Sequence, residues 1–170
     1  MGSGLVNGDA RDEVDDLVEA WRRERPDLGL APMEIWSRVL RLGLHLDAAR
    51  RAAYAEHAIE PWEFDVLAAL RRSGSPYRLT PGQLLRETHV TSGTMTNRVD
   101  RLVSRGLVAR ASHPEDGRVV LVELNPAGRE LVDAAITSLL AAEDALLGDL
   151  GQGERDALAN GLRALLLAQE

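Results

Sequence analysis

The fold is decided by residues 80 to 124, TPGQLLRETHVTSGTMTNRVDRLVSRGLVARASHPEDGRVVLVEL. Thr80-Pro81 opens a helix, with a hydroxyl as cap and a proline at the first helical position, where a missing N–H costs nothing. Leu84 and Leu85 give that helix a buried side. A turn is expected at Thr88-His89-Val90, and a second cap at Thr91 or Ser92. The helix that follows has two unlike faces. Met95, Val99, Leu102 and Val103 recur at helical spacing and form a core stripe. Thr94, Thr96, Asn97, Arg98, Asp100 and Arg101 lie off that stripe. Gly106 supplies a C-terminal stop. Two apolar-rich runs, 107–111 and 118–124, flank His113-Pro114-Glu115-Asp116-Gly117, and Asp-Gly between such runs signals a hairpin. A capped helix, a short turn, a polar-fronted helix and a hairpin, in that order, read as a winged helix-turn-helix.

The chemistry of the polar front suits duplex DNA. Short hydroxyls and a carboxamide at a helix start let the backbone approach base edges; Asn can bond adenine bidentately, and Thr offers a hydroxyl or a methyl. Thr91, Ser92, Thr94, Thr96 and Asn97 are therefore expected to face the major groove, with Arg101 on phosphate. Arg118, at the expected hairpin tip, is placed for the minor groove or for phosphate.

The net charge of −7 runs against a DNA partner until its distribution is considered. Between Arg71 and Arg118 nine arginines face four acids, a net of +5, which leaves −12 on the rest of the chain. A basic segment on an acidic body is the footprint of binding by phosphate neutralisation. The chain has no lysine, and guanidinium forks favour guanine, phosphate or carboxylate over point-charge contacts.

The 170 residues, 45% hydrophobic, suit one domain with a sizeable core. The absence of cysteine closes off disulfides, thiolate metal sites and cysteine redox sensing. The four histidines form no metal-ligand pair on one helix face, so no metal is expected. No nucleophile elbow, phosphate-cradling glycine loop or paired catalytic carboxylates appear, so neither an enzyme nor a resident cofactor is expected. No apolar run approaches the ~20 residues of a membrane span, and the N-terminus lacks a secretory pattern. A cytoplasmic protein is expected.

Outside the central stretch the pattern is helical. Residues 11–25 form an extra N-terminal helix whose acids lie first and arginines last, matching the macrodipole. Val14, Leu17, Val18 and Trp21 make its apolar stripe. Pro32 begins a helix to about His57, read through Ile35, Val39, Leu42, Leu46, Ala49 and Ala53 as a core helix that also supports the dimer interface. Pro61 starts another, with Phe64, Leu67 and Leu70 inward, and a loop from Ser73 to Pro76 leads into the helix-turn-helix. Asn125-Pro126 caps a long helix to Leu150, Gly151-Gln152-Gly153 breaks it, and a last helix shows Leu158, Leu162, Leu165 and Leu166 on one face. These terminal helices carry more apolar surface than one small core can bury, so pairing with a second copy about a two-fold axis is expected. The fold class is mostly α with a small β-hairpin wing. The chain divides into 11–25 as the extra helix, 61–124 as the DNA-binding lobe, and 30–60 and 125–170 as dimerisation helices.

The run SGTMTNRVDRLVSRGLVAR, the PEDGR turn and the VELNPAGRELV after it resemble the MarR family of bacterial regulators, along nearly the whole chain. The resemblance implies a homodimer in which each winged helix-turn-helix reads one half of a pseudo-palindromic operator. The extra helix and the PYRLTP segment are similar to the urate-responsive, PecS-type subgroup. That subgroup's ligand residues match Trp21, Asp65, Arg98 and Arg110 here. The resemblance implies that Asp65 is held by Arg110 in the empty site and displaced by urate or a related small anion. A phenolic or carboxylic acid effector, or pH acting through His45, His57, His89 and His113, are the alternatives.

Overall fold

The polar-fronted helix, α5, runs Ser92–Ser104, one residue after its N-cap Thr91. Met95, Val99 and Leu102 on it are buried, as their spacing requires, whereas Val103 is 37% exposed and does not join the stripe. The helix ends in a Schellman motif. Gly106, at φ 69°, donates to the Val103 carbonyl (2.9 Å) and Leu107 to the Leu102 carbonyl (3.0 Å).

The computed structural model describes residues 10–88, 90–112 and 118–169. Among them the order is α1 Glu13–Glu24, α2 Ala31–Ala55, α3 Pro61–Arg72, β1 Arg78–Leu79, α4 Pro81–Thr88, α5, β2 Val108–Ser112, β3 Val120–Leu124, α6 Pro126–Leu147 and α7 Gln152–Leu167. His89, the turn residues 113–117 and the N-terminal tail lie outside the described residues, and with them the expected Asp116-Gly117 hairpin turn. Two units result, one of Ala48–Glu143 and one of the chain before and after it.

The unit Ala48–Glu143 is built round Leu67 and Leu70 of α3, Leu84 of α4, Met95, Val99 and Leu102 of α5, Val108, Val122, and Val132 and Ala135 of α6. Its sheet is antiparallel in the order β1-β3-β2. Arg78 stands opposite Glu123, and their side chains bond across the strands (Nη2 to Oε1 3.1 Å). Just before α4 the chain thus forms a short edge strand that the sequence does not announce. Two residues are too few to show the alternation that marks a strand.

Thr80 caps α4 through its hydroxyl, which accepts from the Gln83 N–H (3.2 Å). At the other end of the sheet, Asn125 ties the turn after α5 to the start of α6. Its amide N–H donates to the Leu107 carbonyl (3.0 Å) and its side chain to the Gly106 carbonyl (3.0 Å). Gly128, one helical turn on, leaves no room for a side chain: a Cβ there would lie 2.1 Å from the Leu107 carbonyl oxygen.

In the other unit, Asp12 caps α1 by accepting from the Val14 and Asp15 N–H groups (2.8 and 3.1 Å). Arg38 of α2 forks onto Asp12 (Nε 2.7 Å, Nη2 3.0 Å) and also reaches Asp15 (2.8 Å). These bonds supply what a free-standing helix of this length lacks. Arg38 holds the Asp12 carboxyl down at about 2.

Only part of the α2 stripe is buried in the single chain: Ala53 is buried, whereas Ile35 is 54% and Leu42 58% exposed. Two helix ends differ from expectation. Helix α6 stops at Leu147 rather than Leu150, because Gly148 takes φ 53°, a left-handed conformation that glycine adopts at little cost. Gly151 caps α7 instead of breaking its predecessor.

Candidate nucleic-acid interface and effector cleft

The polar front of α5 follows from its helical phase. With Met95, Val99 and Leu102 turned into the core, Thr91, Ser92, Thr94, Thr96, Asn97 and Arg101 are left exposed on the surface. The two hydroxyls at the helix start bond each other, Thr91 Oγ1 to Thr94 Oγ1 at 2.9 Å, so Thr91 occupies the cap position without a side-chain cap bond to the backbone. Thr96 donates to the Ser92 carbonyl (3.2 Å). A helix N-terminus fronted by short polar side chains carries a partial positive charge toward whatever it approaches. Arg118 is exposed two residues before β3.

The arginines of α5 are not loose. Trp62, the second residue of α3, is half-buried against the core and turns its indole face to both of them. The Arg101 guanidinium lies 4.6 Å and that of Arg98 5.5 Å from the ring centroid. These residues, with Gly93, Thr94 and Asn97, line an open cleft of about 410 Å³. Trp62 was not legible as a site residue. Its signal is spacing: it stands three residues before Asp65, as Arg98 stands three before Arg101, and such pairs share a helix face.

Asp65 is surface-exposed, yet burial of its carboxyl pushes its pKa up, against the pull of Arg98, Arg72 and Arg50. The structure therefore brings Asp65 and Arg98 into one electrostatic neighbourhood. Arg110 is engaged differently from what the resemblance implies. Its Nη1 donates to Asp100 Oδ1 at 2.6 Å, joining β2 to α5. Asp100, one residue before Arg101, is the acid that α5 presents to Arg110 of β2. Trp21 lies in the other unit, on α1, and is 45% exposed.

A second polar anchor holds the far end of α5. Glu63 is buried, and its Oε2 accepts from Arg105 Nη1 (2.7 Å) and from the Glu60 N–H (2.9 Å). Arg105 also donates to the Ala58 carbonyl (3.1 Å). Among the described residues no group of three or more His, Asp or Glu is placed to hold a metal, and no helix is long and apolar enough to cross a membrane.

A family model described as MarR family matches residues 59–119, the span from the start of α3 to just before β3. The regulator PecS of Dickeya dadantii is 34% identical over 154 residues, covering 91% of this chain and 90% of its own. A mutant of E. coli MarR in complex with operator DNA superposes with a TM-score of 0.66 at 26% identity, over 82% of this chain and 99% of that one. Bordetella bronchiseptica BpsR, whose DNA binding is regulated by 6-hydroxynicotinic acid, superposes at 0.63 with 27% identity, over 77% and 91%. With a curated relative matched along nearly its full length and the winged helix-turn-helix in place, this chain belongs to the MarR family of transcriptional regulators, in its PecS-type branch.

Proposed function

We infer that the protein is a homodimeric repressor that grips a pseudo-palindromic operator and releases it when urate or a similar small anion binds. One observation carries the reading: Arg98, the residue that the resemblance assigns to the effector, lines the same cleft as Thr94, Asn97 and Arg101 of the DNA-reading front, and its charge acts on the Asp65 carboxyl. An anion drawn to Arg98 would compete with Asp65 for that charge and favour moving one of them. That movement begins on the helix that would read DNA.

Two copies of α5 would sit about one DNA turn apart, near 10 bp between half-site centres. The exposed apolar side chains support pairing of two chains: Leu40, Leu44 and Leu166 are each about 70% exposed in the single chain, and a second copy about a two-fold axis would cover them.

The test is a titration of DNA-bound protein with urate. Wild type is expected to lose its operator, and Asp65→Ala to lose the response while keeping DNA affinity; Trp21→Phe measures the share of α1. Coupling must be reciprocal. Saturating operator weakens urate binding by the same factor by which saturating urate weakens operator binding, and unequal factors would exclude simple linkage. A second reading, an aromatic acid effector, is favoured by BpsR and its 6-hydroxynicotinic acid. Competition between urate and such an acid at fixed operator separates the two.

A further inference from the structure

We propose that Trp62 is a positioning residue for the DNA grip, the seat on which Arg98 and Arg101 are pre-set together. Two arginines three residues apart on a helix repel each other and, left alone, sample many rotamers. Here both lie over one indole, at 5.5 and 4.6 Å from its centroid. The ring's negative face offsets their mutual repulsion. Trp62 itself is packed against the core from a different helix, so the seat is fixed relative to α5. A guanidinium docked on an aromatic face keeps its in-plane N–H donors available for phosphate. The cost of ordering the two side chains is therefore met before DNA arrives, and Thr94 and Asn97 share the same cleft.

This inference rests on the DNA-binding reading and is independent of which effector is sensed. It also says how an anion at Arg98 reaches the grip: pulling Arg98 from the ring removes the arrangement that both arginines share.

The experiment measures affinity and its salt dependence for a short duplex selected by the wild-type protein from a randomised library. Trp62→Leu is expected to weaken binding about four- to twenty-fivefold, from two contacts of about two- to fivefold each. The slope of log affinity against log salt should flatten by up to about two units. Trp62→Phe, which keeps an aromatic face, should recover most of both. Added to Arg98→Met with Arg101→Met, the Leu change should cost nothing further, because the ring then has nothing to seat.

A loss that persists undiminished in the double-arginine background overturns the proposal, since Trp62 would then act through packing alone. So does an unchanged affinity or slope in Trp62→Leu. Should the Leu variant fail to fold, the Phe variant decides alone: a small loss seen only when both arginines are present supports the seat, and a loss seen equally without them overturns it. A wild type that binds no duplex sinks the DNA-binding reading and this inference with it, whereas normal wild-type binding with indifferent Trp62 variants sinks this inference only.

Discussion

Replacing Arg105 with Met tests how α5 is anchored. The Glu63 side chain is 3% exposed, and its Oε2 accepts one charged and one neutral donor, from Arg105 and from the Glu60 N–H. Without the guanidinium a carboxylate stays inside with a single neutral partner. Removing one member of a fully buried pair costs about 3–5 kcal/mol, and an orphaned buried polar group about 1–3 kcal/mol. Arg105 is 38% exposed, so water can approach its place, and the lower range applies. We expect a loss of about 2 kcal/mol, a fall in Tm of roughly 4–8 °C for a chain of this size. Thermal denaturation followed by circular dichroism measures it. The discriminating control is Glu63→Gln in the Arg105→Met background, which removes the stranded charge while keeping an acceptor for Glu60. That double variant should be more stable than Arg105→Met alone. An Arg105→Met chain that melts with wild type, or a double variant that melts lower still, would refute the account of Glu63 as a charge held in place by Arg105.

Gly128→Ala should destabilise by the upper end of about 1–3 kcal/mol, because the new Cβ meets the Leu107 carbonyl oxygen at 2.1 Å and Leu124 Cδ1 at 2.9 Å; a chemical denaturation midpoint within error of wild type would contradict the packing. Asp12 contributes stability with a defined sign: its carboxyl, held at about 2 by Arg38 against 3.8 unperturbed, stabilises the folded chain above about 3.8 and loses that contribution as pH falls toward 2. The difference in stability between wild type and Asp12→Asn should therefore shrink across that window, as read by denaturant titrations at a series of pH values, and a constant difference would remove the linkage. Arg118→Ala should weaken DNA binding for all sequences and flatten the salt slope by about one unit; a gel-shift series with an unchanged slope takes Arg118 out of the phosphate contacts.

The helix-turn-helix was legible because its instructions are local. Thr80-Pro81 starts a helix by capping chemistry, Gly106 stops one by its φ, and the period of Met95, Val99 and Leu102 fixes which side is buried. The polar front follows from that phase without further information. The α2 stripe shows the limit of periodicity, which reports only that a face is apolar, not whether its own chain or a second copy covers it: Ile35 and Leu42 remain exposed in a single copy. Glu63 and Arg105 were not legible at all, and Trp62 only through its spacing. A glutamate between an aromatic pair on a helix looks solvated until the fold buries it, and its partner is 42 residues away. The alternative partner of Arg110 was hidden for the same reason, since Asp100 reaches it only through the pairing of α5 with β2.

The effector and the duplex would draw on the same few groups, and this limits how the switch can work. Arg98 cannot serve a bound anion and stay over Trp62 with its full charge available to phosphate. Asp65 adds the directional element: burial raises its pKa, against the pull of Arg98. Taking Arg98 for a ligand would weaken that pull and favour motion of α3 relative to α5. The motion need not be large, because coupling of about 1–3 kcal/mol suffices for a fivefold or greater change in affinity. Loss of one cation–aromatic contact together with one weakened phosphate contact supplies energy of that order. The anchor at Glu63 and Arg105 then matters for a second reason. With the far end of α5 fixed to α3 through Arg105 and Glu63, a shift begun at Arg98 would become a tilt of the polar front rather than a displacement of the whole helix, and such a tilt would take Thr94 and Asn97 out of register with base edges.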